Sequence, residues 1–140
     1  LRWARLSPAE AALLASQLGS DVPFCLLGEG RARVAGAGEL VEPLPWGEVA
    51  GMAFTLLVPP FGVPTGAVYE TWDELGGPQG ANFNDLEDAA LRAEPRLVKW
   101  RDRLGEETGQ SPRLAGSGST WFVEGPFPGG ARKVVRAWRL

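Results

Sequence analysis

Histidine is absent from this 140-residue chain, and its absence removes more chemistry than any other feature of the composition. No Ser-His or Cys-His pair can form within the chain, so acid–base work falls to carboxylates or lysines. There is one cysteine, Cys25, so no internal disulfide framework exists and no Cys/His metal spacing occurs. Set between Phe24 and Leu26, Cys25 reads as a small buried apolar residue, and its solitude fits a reducing, cytoplasmic setting. No apolar run reaches the ~18 residues of a membrane helix, and nothing resembles a signal peptide, so no membrane partner is expected. The phosphate-loop pattern GxxxxGK[ST] is also missing. Basic charge is not in excess: 14 Lys and Arg face 17 Asp and Glu, for a net charge of −3, which argues against nucleic acid as a partner. Arg132, Lys133, Arg136 and Arg139 cluster near the end, where a solvated strand face accounts for them. The first residue is Leu1 and the one methionine is Met52, so the chain reads as a piece of a longer protein.

What is present is an ordinary globular composition, 44% hydrophobic and 22% charged, long enough to bury a core. Ser7-Pro8-Ala9-Glu10 reads as a capping box with proline in the first turn. Ala11, Leu14, Ala15 and Leu18 follow at helical spacing as one buried face, and Gly19 suits a left-handed helix end. Residues 1–4 read as the tail of an earlier helix. Extended structure is expected over Pro23–Leu27, Arg31–Val34 and Val41–Leu44. Ala53–Val58 is an apolar run closed by Pro59-Pro60, as in a buried strand. Pro64-Thr65 opens a helix with Val68, Trp72 and Leu75 on one face, and GGPQGANF, residues 76–83, reads as a loop. Asn84 caps a third helix carrying Leu86, Ala89, Ala90 and Ala93. Pro95 interrupts it, and a fourth segment with Leu97, Trp100 and Leu104 is read as ending at Gly105. Thr120–Val123 and Lys133–Leu140 read as strands. Strands and helices intermingle without strict alternation, so the expected class is α+β.

Three stretches could carry chemistry. In LGSDVPF, residues 18–24, Asp21 is either an Asx-type turn residue or a base at the mouth of a site. In AGSGST, residues 115–120, Gly116 and Gly118 permit a tight path whose amides can converge on an anion, with Ser117 and Ser119 adding hydroxyls. The other reading is a hairpin turn. In FGVPTGAVY, residues 61–69, a helix N-terminus carrying Thr65 can meet an anion or polar ligand; alternatively Thr65 only caps and Tyr69 only packs. Glu106 and Glu107 read as solvated helix-end charges, and the six tryptophans mostly as core anchors.

In order along the chain, LGSDVPFCLLGEGRARVAGAGELVEPLP, VPPFGVPTGAVYETWD, NDLE and PRLAGSGSTWFVEG resemble the 4-diphosphocytidyl-2-C-methyl-D-erythritol kinase family of the GHMP small-molecule kinase superfamily. The resemblance spans nearly the whole chain. It implies ATP-dependent phosphorylation of the substrate's 2-hydroxyl, in the non-mevalonate route to isoprenoid precursors, with ATP and Mg²⁺. Asp21 matches the family's catalytic base. Ser20, Thr65 and Tyr69 match substrate-binding positions, and Gly116, Ser117, Gly118 and Ser119 match the C-terminal glycine loop over the phosphates. No metal-ligating side chain is implied.

The chain also departs from the family. The family's ATP loop, of the form PxxxGLGGGSS, has no counterpart here, nor have its N-terminal lysine and its cytosine-gripping aromatics. The resemblance therefore implies the second half of an enzyme, inactive alone and partnered by the missing N-terminal half. Residues 1–46 would end the nucleotide-side domain and residues 47–140 would form the C-terminal domain. The stretch VEGPFPGGARKVVRAW leaves little room for the family's helix after Phe122-Val123. On this reading Asp21 and the amides around Ser117 line one cavity. Two other readings stay open: a GHMP kinase acting on homoserine or mevalonate, and a non-catalytic ligand-binding module.

Overall fold

Ser7 starts the first helix reciprocally: its Oγ accepts the Glu10 N–H at 3.3 Å, and Glu10 Oε2 accepts the Ser7 N–H at 2.8 Å. The computed structural model describes residues 6–28, 30–36, 38–45, 47, 49–77 and 83–137; the helix tail read over residues 1–4 lies outside them, as do Trp3, Trp46, Trp138 and Arg139. The chain divides into two compact units, Leu1–Gly51 with Ala137–Leu140, and Met52–Arg136.

In the first unit, α1 spans Pro8–Leu18. Its expected buried face is covered mainly at Ala15, whereas Leu14 and Leu18 are exposed. Gly19 ends the helix with φ 163°, which is extended backbone and not the expected left-handed conformation. The reason lies just downstream. The Val22 N–H donates to Gly19 O at 3.1 Å, closing a turn that leads directly into α2, Val22–Leu27. That segment was expected to be a strand. Proline is tolerated in the first helical turn, where its missing N–H has no partner to lose, and Pro23 sits there. A short apolar run does not distinguish strand from helix by period alone. Cys25, expected to be buried, is exposed on this helix.

The strands β1, Ala32–Ala35, and β2, Leu40–Pro43, pair antiparallel with Val34 opposite Val41. Gly38 in their turn has φ 101°, and a Cβ there would overlap the Ser20 carbonyl oxygen. Only glycine lets the hairpin press against the Ser20 backbone, one residue before Asp21.

The second unit is a four-stranded antiparallel sheet with three helices. Strand order is β4-β5-β3-β6, where β3 is Ala53–Leu57, β4 Arg113–Leu114, β5 Trp121–Glu124 and β6 Arg132–Arg136. Ala53, Thr55 and Leu57 of β3 and Trp121 and Val123 of β5 are buried. Phe54 and Phe122, on alternate positions, meet edge to face at 6.2 Å. The apolar run 53–58 is thus a two-faced strand, not a uniformly buried one. The final strand was expected over Lys133–Leu140; β6 instead ends at Arg136, opposite Ala53 on the sheet edge, and residues 138–140 lie outside the described residues. Its charged residues suit an exposed edge.

Helices α3, Thr65–Glu74, α4, Glu87–Ala93, and α5, Leu97–Thr108, supply Val68, Ala89, Ala90, Leu97 and Leu104 to a core shared with Leu57, Leu114, Trp121 and Val123. Each fully buried large side chain contributes about 1.5–3 kcal/mol. Helix α5 does not stop at Gly105. It runs to Thr108 and ends at Gly109, whose φ of 67° is left-handed. Gly105 lies inside the helix, where a Cβ would meet Gln110 O at 3.4 Å and Pro112 Cδ at 3.5 Å, ordinary contact distances. Glu107, expected to be solvated, pairs with Arg103 Nε at 2.7 Å and Arg132 Nη1 at 2.9 Å.

Candidate functional site

Asp21 lies in the first unit and the glycine loop in the second, and each has its own local geometry. Asp21 is exposed, with φ −89° and ψ −15°, at the N-cap position of α2. Its main-chain carbonyl accepts the Cys25 N–H at 3.1 Å, but its side chain makes no capping bond. An Asx cap would turn the carboxylate onto the helix amides; here it does not. Ser20, also exposed, is held from behind by Gly38. The first unit also has an open apolar cavity of about 370 Å³ between α1, α2 and β2, lined by Ala11, Pro23, Leu26, Leu27 and Val41 among others. Neither Ser20 nor Asp21 lines it.

In the second unit, residues 115–120 join β4 to β5. The Ala115 N–H donates to Thr120 O at 2.9 Å, and the Gly118 N–H to Ala115 O at 3.0 Å. Gly116 and Gly118 have φ 58° and 99°, left-handed values that glycine adopts without strain. The loop is a hairpin connection, and that alone would favour the bland reading. Its surroundings add more. Thr65 Oγ1 lies 3.0 Å from Ser117 Oγ, and either hydroxyl can donate. The two stretches that the sequence offers as separate anion sites are therefore one place.

Thr65 does not cap its helix. Pro64 holds the N-cap position, and α3 has no side-chain cap, so its first amides are left for another acceptor. Tyr69, one turn on, is exposed, and its ring meets Trp72 edge to face at 6.5 Å. Thr65 and Tyr69 share a helix face by their i, i+4 spacing.

Two residues at this place escaped the sequence reading. Asn84, expected to cap α4, lies two residues before the N-cap residue, Leu86. Its Oδ1 accepts the Leu86 N–H at 3.0 Å, while its Nδ2 donates to Leu114 O at 3.0 Å and to Gly116 O at 2.7 Å. Glu87 Oε2 accepts the Leu114 N–H at 3.4 Å. Burial pushes the Glu87 carboxyl above its ordinary value, against the opposing pull of the Leu114 amide and Arg101. The spacing of NDLE before an apolar run signals a helix start; nothing local signals a partner some 30 residues away.

Arg113 stacks its guanidinium 4.1 Å over the Phe83 ring and pairs with Glu124 at 3.2 Å. The site therefore offers hydroxyls, amides and a helix N-terminus. Among the described residues no group of three or more Cys, Asp or Glu is placed to hold a metal ion, and no helix is long and apolar enough to cross a membrane.

No protein-family model matches the chain. It is similar to the curated 4-diphosphocytidyl-2-C-methyl-D-erythritol kinase of Cereibacter sphaeroides, at 38% identity over 140 aligned residues covering 86% of this chain and 49% of that protein. It is similar also to the kinase of the same name from Thermus thermophilus, at 34% identity over 152 aligned residues covering 96% of this chain and 54% of that protein. The crystal structure of a 4-(cytidine 5'-diphospho)-2C-methyl-D-erythritol kinase superposes with a TM-score of 0.61 at 30% identity, over 79% of this chain and 46% of that one. The chain thus resembles the C-terminal part of these enzymes and shares their α+β, GHMP-kinase fold. It spans about half the length of the curated relatives it matches.

Proposed function

We propose that this chain is the C-terminal part of a 4-diphosphocytidyl-2-C-methyl-D-erythritol kinase, with residues 1–46 ending the nucleotide-side domain and residues 47–140 forming the C-terminal domain. The observation that supports it most is the Thr65–Ser117 pairing, which joins an uncapped helix start to a glycine loop in a chain similar to such kinases over most of its length.

Phosphoryl transfer needs positioning and charge stabilisation more than covalent help from the protein, so the lack of histidine is no obstacle. The substrate's 2-hydroxyl oxygen attacks the γ-phosphorus of ATP. A bond forms between them, the bond to the β–γ bridging oxygen breaks, and ADP leaves. Asp21 orients the hydroxyl and takes its proton, with a carboxylate that its own helix start does not occupy. Gly116, Ser117, Gly118 and Ser119 present amides and hydroxyls to the phosphates, where negative charge builds in the transition state. Ser20, Thr65 and Tyr69 face the alcohol substrate. Mg²⁺ typically binds through substrate phosphates with one or two carboxylates. Mg²⁺ would enter with the nucleotide, held by its phosphates, and would neutralise charge there. The partner is the N-terminal half of the same enzyme, and the setting is the cytoplasm.

The test is ADP formation by the full-length protein against a panel of alcohols. The proposal expects saturable turnover with 4-diphosphocytidyl-2-C-methyl-D-erythritol, and little with homoserine or mevalonate. Turnover that favours either of those alcohols would assign the chain to another GHMP kinase. No turnover with any would leave a binding module.

A further inference from the structure

The Asn84 side chain uses three hydrogen-bonding positions, and two of them act on the glycine loop. Both Nδ2 hydrogens are engaged, one on Leu114 O and one on Gly116 O. These carbonyls flank Ala115, where the chain leaves β4 and begins the left-handed turn at Gly116. Glu87 reaches the same junction through the Leu114 N–H. Three backbone groups at the loop's entrance are thus held by one short segment, residues 84–87.

We propose that Asn84 is a positioning residue for phosphoryl transfer, its side-chain amide fixing the entrance of the glycine loop so that the following amides and the Ser117 hydroxyl meet the phosphates. This rests on the kinase reading given above. The chemistry demands asparagine. The position needs two donors on one planar group and an acceptor on the other side. Aspartate has no donor, serine has one, and glutamine carries its amide a methylene further out. A fixed loop matters because donors aimed in advance at the transferring group spend nothing on reorganisation during the reaction.

The competing role is structural: Asn84 as starter of α4 through the Leu86 N–H. Asn84→Asp separates the two, since it keeps that acceptor and loses both donors. Asn84→Ser keeps a hydroxyl oxygen as acceptor and at most one of the two donors, without adding charge. In the full-length protein, kcat and the KM for ATP are measured beside deuterium uptake of peptides covering residues 114–120 and 87–93. The expected result for both variants is a kcat lowered about tenfold or more, with KM moving less. Uptake should be faster over 114–120 and unchanged over 87–93. A kcat within twofold of the unsubstituted protein would overturn the proposal, as would unchanged uptake over 114–120. An unsubstituted protein with no transferase activity would overturn the kinase reading instead, and the uptake over 114–120 would still decide whether Asn84 holds the loop.

Discussion

Thr65 Oγ1 and Ser117 Oγ lie 3.0 Å apart although 52 residues separate them in the chain. The contact links the first turn of α3 to the glycine loop. A neutral hydrogen bond of this kind contributes about 0.5–1.5 kcal/mol net. We predict that Thr65→Val and Ser117→Ala each lower stability modestly and that the double variant loses less than their sum. Denaturant unfolding of the four proteins checks this. Additive losses would mean that the two hydroxyls do not stabilise one another.

Glu87 carries a pH dependence whose sign is fixed by its environment. Burial holds its carboxyl above the ordinary value of 4.5, so the folded chain binds this proton more tightly than the unfolded one. Its contribution to stability is then greatest at low pH and declines as pH rises from the unfolded value through the folded one. Glu87→Gln keeps an oxygen for the Leu114 N–H and cannot ionise. We predict that the variant's melting temperature relative to the unsubstituted protein climbs as pH rises from the ordinary carboxyl value of 4.5 through the raised folded one. A difference that stays constant across that range would contradict this.

Thr55 is fully buried in the middle of β3, and its hydroxyl serves two backbone groups. It donates to Gly125 O at 2.6 Å and accepts the Phe127 N–H at 2.9 Å, holding the bend that follows β5. Thr55→Val keeps the volume but leaves both groups unpaired. We predict a loss of about 1–3 kcal/mol, seen as a fall of roughly 5 °C or more in Tm. An unchanged Tm would mean that the bend satisfies these groups in another way.

Much of the fold was legible wherever one signal had one meaning. Ser7 and Glu10 form the reciprocal cap that their spacing announces, and the apolar run from Ala53 closed by Pro59-Pro60 places β3 correctly. Errors fell where two structures share a signal. VPFCLL fits a strand or a short helix, and Pro23 in the first turn decides for the helix. Of two glycines near the end of α5, Gly109 takes the left-handed φ that ends the helix and Gly105 stays helical within it. The candidate residues were legible only singly: Asp21 in the first unit, and Thr65 and the loop 115–120 in the second. The contact between Thr65 and Ser117 and the bonds of Asn84 were not, because each depends on tertiary placement that local pattern does not encode.

The role proposed for Asp21, base of an alcohol phosphorylation, is tested by the turnover of Asp21→Asn in the full-length protein. Asparagine preserves the shape of an exposed residue whose side chain caps nothing, so melting temperature and ATP affinity should stay the same. Turnover should fall by about a hundredfold or more, in the range typical of a lost general base. Turnover near that of the unsubstituted enzyme would contradict it.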